Sequence, residues 1–144
     1  MSVIVDFPDP TNFSLGKLYT TAFYRLLKKH VSSHGLIVVQ STSPLFARQS
    51  YWCIVETLRL AGWRTSPYHA YVPSFGEWGF VLAGQEPYEP PLTVPTGLRF
   101  LNAANIRSLF EFPRDMQAVA VEPNRLNDQV LVRYYEAEWR SISR

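Results

Sequence analysis

The amino-acid sequence predicts an α/β fold in which parallel strands alternate with helices and the last two strands form an antiparallel hairpin. Two unbroken apolar runs, residues 3–5 and 36–39, are typical of strands that a parallel sheet buries on both faces. Each run is followed by a segment with apolar residues at helical spacing. With 47% hydrophobic and 15% aromatic residues in 144, the chain can bury a core of its own.

The first predicted strand, residues 3–5, ends at Asp6, because Pro8 and Pro10 prevent regular structure just beyond it. Residues 20–33 are expected to form an amphipathic helix behind the capping pair Thr20-Thr21, and Gly35 follows where a helix C-cap is expected. The second strand covers residues 36–39 and ends at Gln40.

The second half of this region adds a helix and a hairpin. Ser43 is predicted to cap a helix that has Pro44 in its first turn and that ends at Gly62. Strands over residues 64–72 and 78–83 follow, and the five residues between them are too few for a parallel crossover. A parallel sheet that ends in an antiparallel edge hairpin indicates the C-terminal half of a Rossmann-like, methyltransferase-type fold, here residues 1–85.

The remaining residues are predicted to form a connector and a helical extension. Four prolines lie between Glu86 and Pro95, so residues 86–97 are expected to be extended and to wrap around the domain. Residues 98–144 are expected to be a C-terminal extension with helices near 102–112 and 127–139.

Composition narrows the class of function. Fourteen basic and twelve acidic residues are spread along the chain, so the net charge of +2 gives no reason to expect a nucleic-acid partner. The single cysteine, Cys53, and the lack of a signal-like or membrane-spanning apolar run indicate a cytoplasmic setting. No spacing of histidine, cysteine and carboxylate residues is typical of a metal site, and we expect no metal.

Asp6 and Asp9 follow the first strand, where open α/β sheets bind their ligands. Two carboxylates in a proline-stiffened loop form a small anionic site that suits an amine. Because an ammonium ion is not a nucleophile, alkyl transfer to it needs a base and a second carboxylate that orients it. The alternative, in which Asp6 ends a strand and Asp9 starts a turn, is compatible with the same spacing.

Several ordered motifs extend this interpretation. They are the D-x-x-D-P sequence at residues 6–10, Lys17-Leu18-Tyr19 with Phe23-Tyr24, LIVVQSTSP at 36–44 and YVPSFGEWGF at 71–80. With these motifs the chain resembles the spermidine synthase (polyamine aminopropyltransferase) family, in particular large bacterial members whose synthase domain is fused to a membrane region. The C-terminal NRLNDQVLVRYYEAEW is similar to the tail of that subgroup.

The resemblance implies transfer of an aminopropyl group from decarboxylated S-adenosylmethionine, a co-substrate, to putrescine. The products would be spermidine and methylthioadenosine, and no further cofactor is expected. By the same resemblance, Asp6 is the base that deprotonates the amine, Asp9 holds the diamine, and Gln40 lines the amine channel.

The resemblance also implies further substrate contacts. Phe75 stands where many members have a tyrosine that assists the base, and Tyr71 is the nearest substitute. Glu77 is expected either to add a third negative group for a polyamine or to be a solvated turn residue. The residues that match nucleoside-contacting positions are Pro10, Leu15 and Leu18.

The family's glycine-rich loop and its ribose-binding acidic residue precede the D-x-x-D-P motif, and no G-x-G-x-x-G sequence occurs in this chain. We therefore expect either a truncated chain or fragment, or a chain that needs an N-terminal partner to supply the other half, with a homo-oligomer as a further possibility. Two other functions stay open, a non-catalytic remnant that acts as a binding partner and an amine N-methyltransferase.

Overall fold

The computed structural model describes residues 1–143 as one mixed sheet with helices packed against it. Short 3-10 turns lie at Lys17–Tyr19 and Arg107–Phe110. The strands and helices follow in the order β1 (Ser2–Val5), α1 (Phe13–Gly16), α2 (Thr21–His30), β2 (Leu36–Gln40), α3 (Arg48–Leu60), β3 (Arg64–Val72), β4 (Gly76–Gly84) and α4 (Val130–Ile142).

The sheet has the strand order β1-β2-β4-β3. β1 and β2 are parallel, with Val5 opposite Val39, and β4 lies antiparallel to both β2 and β3. The predicted α/β architecture with an antiparallel hairpin at the sheet edge is therefore confirmed. The parallel pair brings the C-terminal ends of β1 and β2, and so Asp6 and Gln40, to the same edge of the sheet.

One hydrophobic core joins the sheet to α2 and α3. On β2, Ile37 and Val39 are fully buried, whereas the alternate residues are only half-buried. The predicted inner stripe of α3 is also fully buried, and consists of Tyr51, Ile54, Val55 and Leu58. Trp52 and Cys53 are buried as well, because the C-terminal segment covers the other side of α3 and its carbonyls at Met116 and Glu122 accept hydrogen bonds from these two side chains.

The start of α3 differs from the prediction. The helix begins at Arg48 and not behind Ser43. The Ser43 hydroxyl does accept hydrogen bonds from the amides of Leu45 and Phe46, but the turn that it caps is separate from α3. The amides of Gln49 and Ser50 in the first turn of α3 donate to the Glu138 carboxylate of α4, which caps the helix from a distant part of the sequence.

The C-terminal residues form less helix than predicted. In place of a helix over 102–112 there is a local turn, in which the Asn102 side chain accepts from the amides of Ala104 and Asn105, followed by the short 3-10 turn at Arg107–Phe110. α4 begins at Val130 rather than 127. Within residues 1–143, no helix combines the length and the apolar character that crossing a bilayer requires.

Asn124 ties this segment to the domain. Its side chain is fully buried, donates to the carbonyls of Gly16 and Tyr19, and accepts from the amide of Leu131 at the start of α4. Its backbone amide donates to the Thr57 hydroxyl of α3. These bonds place α4 beside α1 and α3.

Candidate active site

A cleft of about 690 Å³ opens at the C-terminal ends of β1 and β2. The acidic loop and Gln40 line it together with apolar and aromatic side chains of the β3–β4 hairpin, and Phe80 lies directly beside Gln40 in the sheet. The cleft is lined by Asp6, Phe7, Pro8, Asp9, Gln40, Val72, Phe75, Trp78 and Phe80. A cleft lined by both carboxylates and aromatic rings suits an organic cation with an aliphatic body.

Tyr19 holds the acidic loop, residues 6–10, by hydrogen bonds to its backbone. Its hydroxyl donates to the carbonyl oxygens of Phe7 and Pro8, at 3.2 and 3.0 Å. Burial, and then the charges of Asp9 and Asp6, raise the pKa of Tyr19 well above its usual range, so the hydroxyl stays protonated and donates. Pro8 and Pro10 have no amide hydrogen and cannot donate backbone hydrogen bonds that would hold the loop. The Tyr19 hydroxyl supplies a hydrogen bond to the loop instead.

The Asp9 carboxylate is held by three protein donors. Its Oδ1 accepts from Nε2 of Gln40 at 3.3 Å. Its Oδ2 accepts from the hydroxyls of Thr42 at 3.3 Å and Tyr135 at 2.9 Å. Burial, followed by the charge of Asp9, raises the pKa of Tyr135 well above its usual range, which keeps this hydroxyl a donor.

Asp6 has a different environment. Its side chain is exposed to the cleft, and it accepts none of the side-chain hydrogen bonds found among residues 1–143. The acceptor positions of the Asp6 carboxylate are therefore available to a solute, whereas most of those of the Asp9 carboxylate are occupied by protein donors. Two carboxylates three residues apart thus have distinct chemical roles available to them.

Thr42 adopts an unusual backbone conformation beside Asp9. Its φ of 57° lies in the left-handed region, which β-branched residues rarely enter. The amide of Gly79 donates to the Thr42 carbonyl at 2.6 Å and holds it there. A Cβ at position 79 would lie 2.4 Å from the Tyr51 ring and 2.8 Å from that carbonyl, so only glycine fits. Strained backbone of this kind concentrates at functional sites.

Four of the residues expected to bind or act on the amine meet in the cleft, namely Asp6, Asp9, Gln40 and Phe75. The structure does not bring Tyr71 and Glu77 there, because side chains alternate along a strand and their neighbours Val72 and Trp78 face the cleft instead. The Glu77 carboxylate lies 2.9 Å from Nδ1 of His69, within a strand rather than in a turn.

The three positions expected near the nucleoside lie outside this cleft. Pro10 is buried at the end of the acidic loop, Leu15 is half-buried in α1, and Leu18 packs against the hydrophobic core. None of them lines the cleft that contains Asp6.

Sequence reasoning missed Thr42 and Tyr135, and gave Tyr19 no role. Tyr19 belongs to a recognisable Lys-Leu-Tyr motif, which was a usable signal. Tyr135 lies at an apolar position of α4 and is indistinguishable in sequence from a core residue, and Thr42 has no sequence signal for a positive φ. Among residues 1–143 there is also no group of three histidine, cysteine or carboxylate residues arranged to hold a metal ion.

The family model described as the spermine/spermidine synthase domain matches residues 2–92. The chain belongs to the spermine/spermidine synthase family. Within that family it is 57% identical over 143 residues to polyamine aminopropyltransferase 2 of Ralstonia nicotianae, a match that covers 98% of this chain and 28% of the relative. It is also 57% identical over 140 residues to the polyamine aminopropyltransferase of Leptospira interrogans, covering 97% of this chain.

This spermidine synthase family member spans only 28% of the length of these two relatives. Among solved structures it is similar to a spermidine synthase in complex with the transition-state analogue AdoDATO. The TM-score is 0.63 at 20% identity, over 77% of this chain and 41% of that one. The likeness shows the Rossmann-like, methyltransferase-type fold that the order of strands predicts.

Proposed function

We propose that this chain carries the amine-binding and base-bearing part of a polyamine aminopropyltransferase. The reaction transfers an aminopropyl group from decarboxylated S-adenosylmethionine to putrescine. The observation that carries the proposal is the contrast between two neighbouring carboxylates: Asp6 is exposed to an aromatic cleft, while Asp9 beside it is fixed by three donors.

Asp6 acts as the general base in this proposal. Its carboxylate takes a proton from one ammonium group of putrescine, and the freed lone pair attacks the aminopropyl carbon bonded to the sulfonium. The new C–N bond forms as the C–S bond breaks, and the electron pair of that bond goes to sulfur, which leaves as neutral methylthioadenosine. The protein's contribution is to deprotonate, orient and partly desolvate the amine.

The cleft suits a diamine along its length. The aromatic wall of Phe75, Trp78 and Phe80 offers apolar contact to the methylene chain and cation–π contact to an ammonium group. Gln40 gives its Nε2 hydrogen to Asp9, so its amide orientation is fixed, and its Oε1 is inaccessible and without a partner among residues 1–143.

We further propose that the donor nucleoside is held largely by residues outside the cleft described here. Pro10, Leu15 and Leu18 do not line it, and the relatives that match are more than three times longer than the matched segment. A test therefore has to supply the rest of such a protein.

A hybrid protein provides that test: the Leptospira interrogans relative in which the matched segment is replaced by this chain. Release of methylthioadenosine from decarboxylated S-adenosylmethionine and putrescine is measured for the hybrid and for its Asp6→Asn variant. We expect turnover by the hybrid and a loss of about 100- to 10,000-fold on substitution, the usual contribution of a general base. Asp115→Asn, at another exposed aspartate, is the matched control and is expected to retain full activity.

A folded hybrid that releases no methylthioadenosine, while the unaltered relative does so under the same conditions, would refute the proposal. Methyl transfer from S-adenosylmethionine to the same amine would favour the amine N-methyltransferase alternative instead. The two donors are therefore assayed side by side.

A further inference from the structure

The Asp9 carboxylate is anchored by α4, which lies outside residues 2–92 matched by the family model. We propose that Tyr135 of α4 is a positioning residue of the amine site, which sets the orientation of the Asp9 carboxylate and thereby the affinity for the diamine. This inference rests on the proposed function. It assigns to the C-terminal segment a direct part in the site.

The geometry at Asp9 supports a positioning role. Tyr135 and Thr42 both donate to Oδ2, at 2.9 and 3.3 Å, while Gln40 donates to Oδ1. A carboxylate has about four acceptor positions. Three donors, two from the end of β2 and the turn after it and one from α4, therefore fix its plane and leave about one position, which an ammonium group in the cleft can use.

The Tyr135 hydroxyl is itself held in place by rigid structure. Three residues further along α4, the Glu138 carboxylate accepts from the amides of Gln49 and Ser50 and from the Ser50 hydroxyl, at 2.7 to 2.9 Å. One position beyond that, Trp139 packs against both Tyr135 and Phe46. Residues three and four apart share a helix face, so one face of α4 is bound to α3 and to the acidic loop together.

Among the two carboxylates of the acidic loop, Asp9 is held by Tyr135 and Asp6 is not, so loss of the Tyr135 hydroxyl should affect Asp9 alone. Loss of the Tyr135 hydroxyl lets the Asp9 carboxylate rotate, so the bound diamine loses a well-placed partner. The donor nucleoside makes no contact with Asp9 in the proposed arrangement. The Michaelis constant for putrescine is therefore the sensitive quantity, and that for the sulfonium donor is not.

The test compares Tyr135→Phe with Tyr134→Phe in the hybrid protein. Tyr134 is the matched control, since it lies on the same helix, its hydroxyl accepts from the Glu122 amide, and it is not one of the three donors to Asp9. We expect Tyr135→Phe to raise the KM for putrescine roughly tenfold, the effect of losing a hydrogen bond to a charged group. The donor KM should change little, the Tm should fall by no more than a few degrees, and Tyr134→Phe should match the unaltered hybrid in both KM values.

Thr42→Val removes the second donor to the same oxygen and keeps the side-chain shape, so it is a variant that tests the inference if Tyr135→Phe folds poorly. It is expected to raise the KM for putrescine in the same way. A lowered Tm or kcat with an unchanged KM for putrescine in both variants would show a merely structural role and overturn the inference. If the proposed function is wrong, the unaltered hybrid is inactive, and both the function and this inference are refuted. If the hybrid is active and only the role of Tyr135 is wrong, the KM for putrescine is unchanged in the variants.

Discussion

Replacing Asn124 with alanine should strongly destabilise the domain. The side chain is fully buried and makes three hydrogen bonds, to the carbonyls of Gly16 and Tyr19 and the amide of Leu131. Alanine leaves these three backbone groups without their partner. Each buried unsatisfied group costs about 1–3 kcal/mol, and water entering the space would recover part of this. We therefore expect the free energy of unfolding to fall by about 3–5 kcal/mol, a large fraction of the roughly 5–15 kcal/mol of a typical domain.

Urea unfolding followed by tryptophan fluorescence measures this loss, because Trp52 and Trp63 lie in the core. Asn102→Ala is the matched control: that side chain also accepts hydrogen bonds from two backbone amides, at Ala104 and Asn105, but it is exposed and water can replace it. It should cost less than about 1 kcal/mol. If Asn124→Ala were as mild as Asn102→Ala, the buried network would not be what attaches the C-terminal segment.

Three further predictions concern the core and the strained turn. Gly79→Ala should lower the Tm by many degrees, because the new Cβ would meet the Tyr51 ring and the Thr42 carbonyl; an unchanged Tm would contradict the packing described here. Tyr24→Phe should leave the Tm unchanged or raise it, because the hydroxyl is buried without a partner among residues 1–143, and a clear fall would reveal a hidden one. Burial raises the pKa of Cys53 to about 12, so the thiol should react with a thiol reagent at pH 8 only as fast as the domain unfolds, and rapid labelling without denaturant would show that it is accessible.

The elements that sequence predicted well are those whose signals are local. The apolar runs of β1 and β2, the Thr20 cap of α2 and the short connection between β3 and β4 each lie within a few residues of the structure they specify. The burial expected for β1 was wrong, because β1 is an edge strand and Ile4 is exposed. The predicted start of α3 was wrong because the carboxylate that caps its first turn belongs to Glu138, which lies 88 residues after Ser50 in the sequence. No local pattern carries that information.

The candidate site divides in the same way. The acidic loop and Gln40 could be located from sequence, because strand ends at one edge of a parallel sheet converge. Glu77 could not be placed correctly, since a turn of five residues was expected and β4 in fact begins at Gly76, which puts Glu77 on the face away from the cleft. Tyr135 reaches Asp9 across 126 residues, a contact that only the tertiary fold creates.

The pH dependence of methylthioadenosine release by the hybrid protein and its Asp6→Asn variant tests the central claim most directly. An alkylammonium group has a pKa near 10, so without the base only the small fraction of amine already deprotonated can react. If Asp6 is the base, the rate of methylthioadenosine release by the Asp6→Asn variant should rise about tenfold per pH unit below pH 10, and its deficit against the unaltered hybrid should shrink as the pH rises. Equal rates with the same pH dependence in both proteins would contradict the assignment of Asp6 as the base.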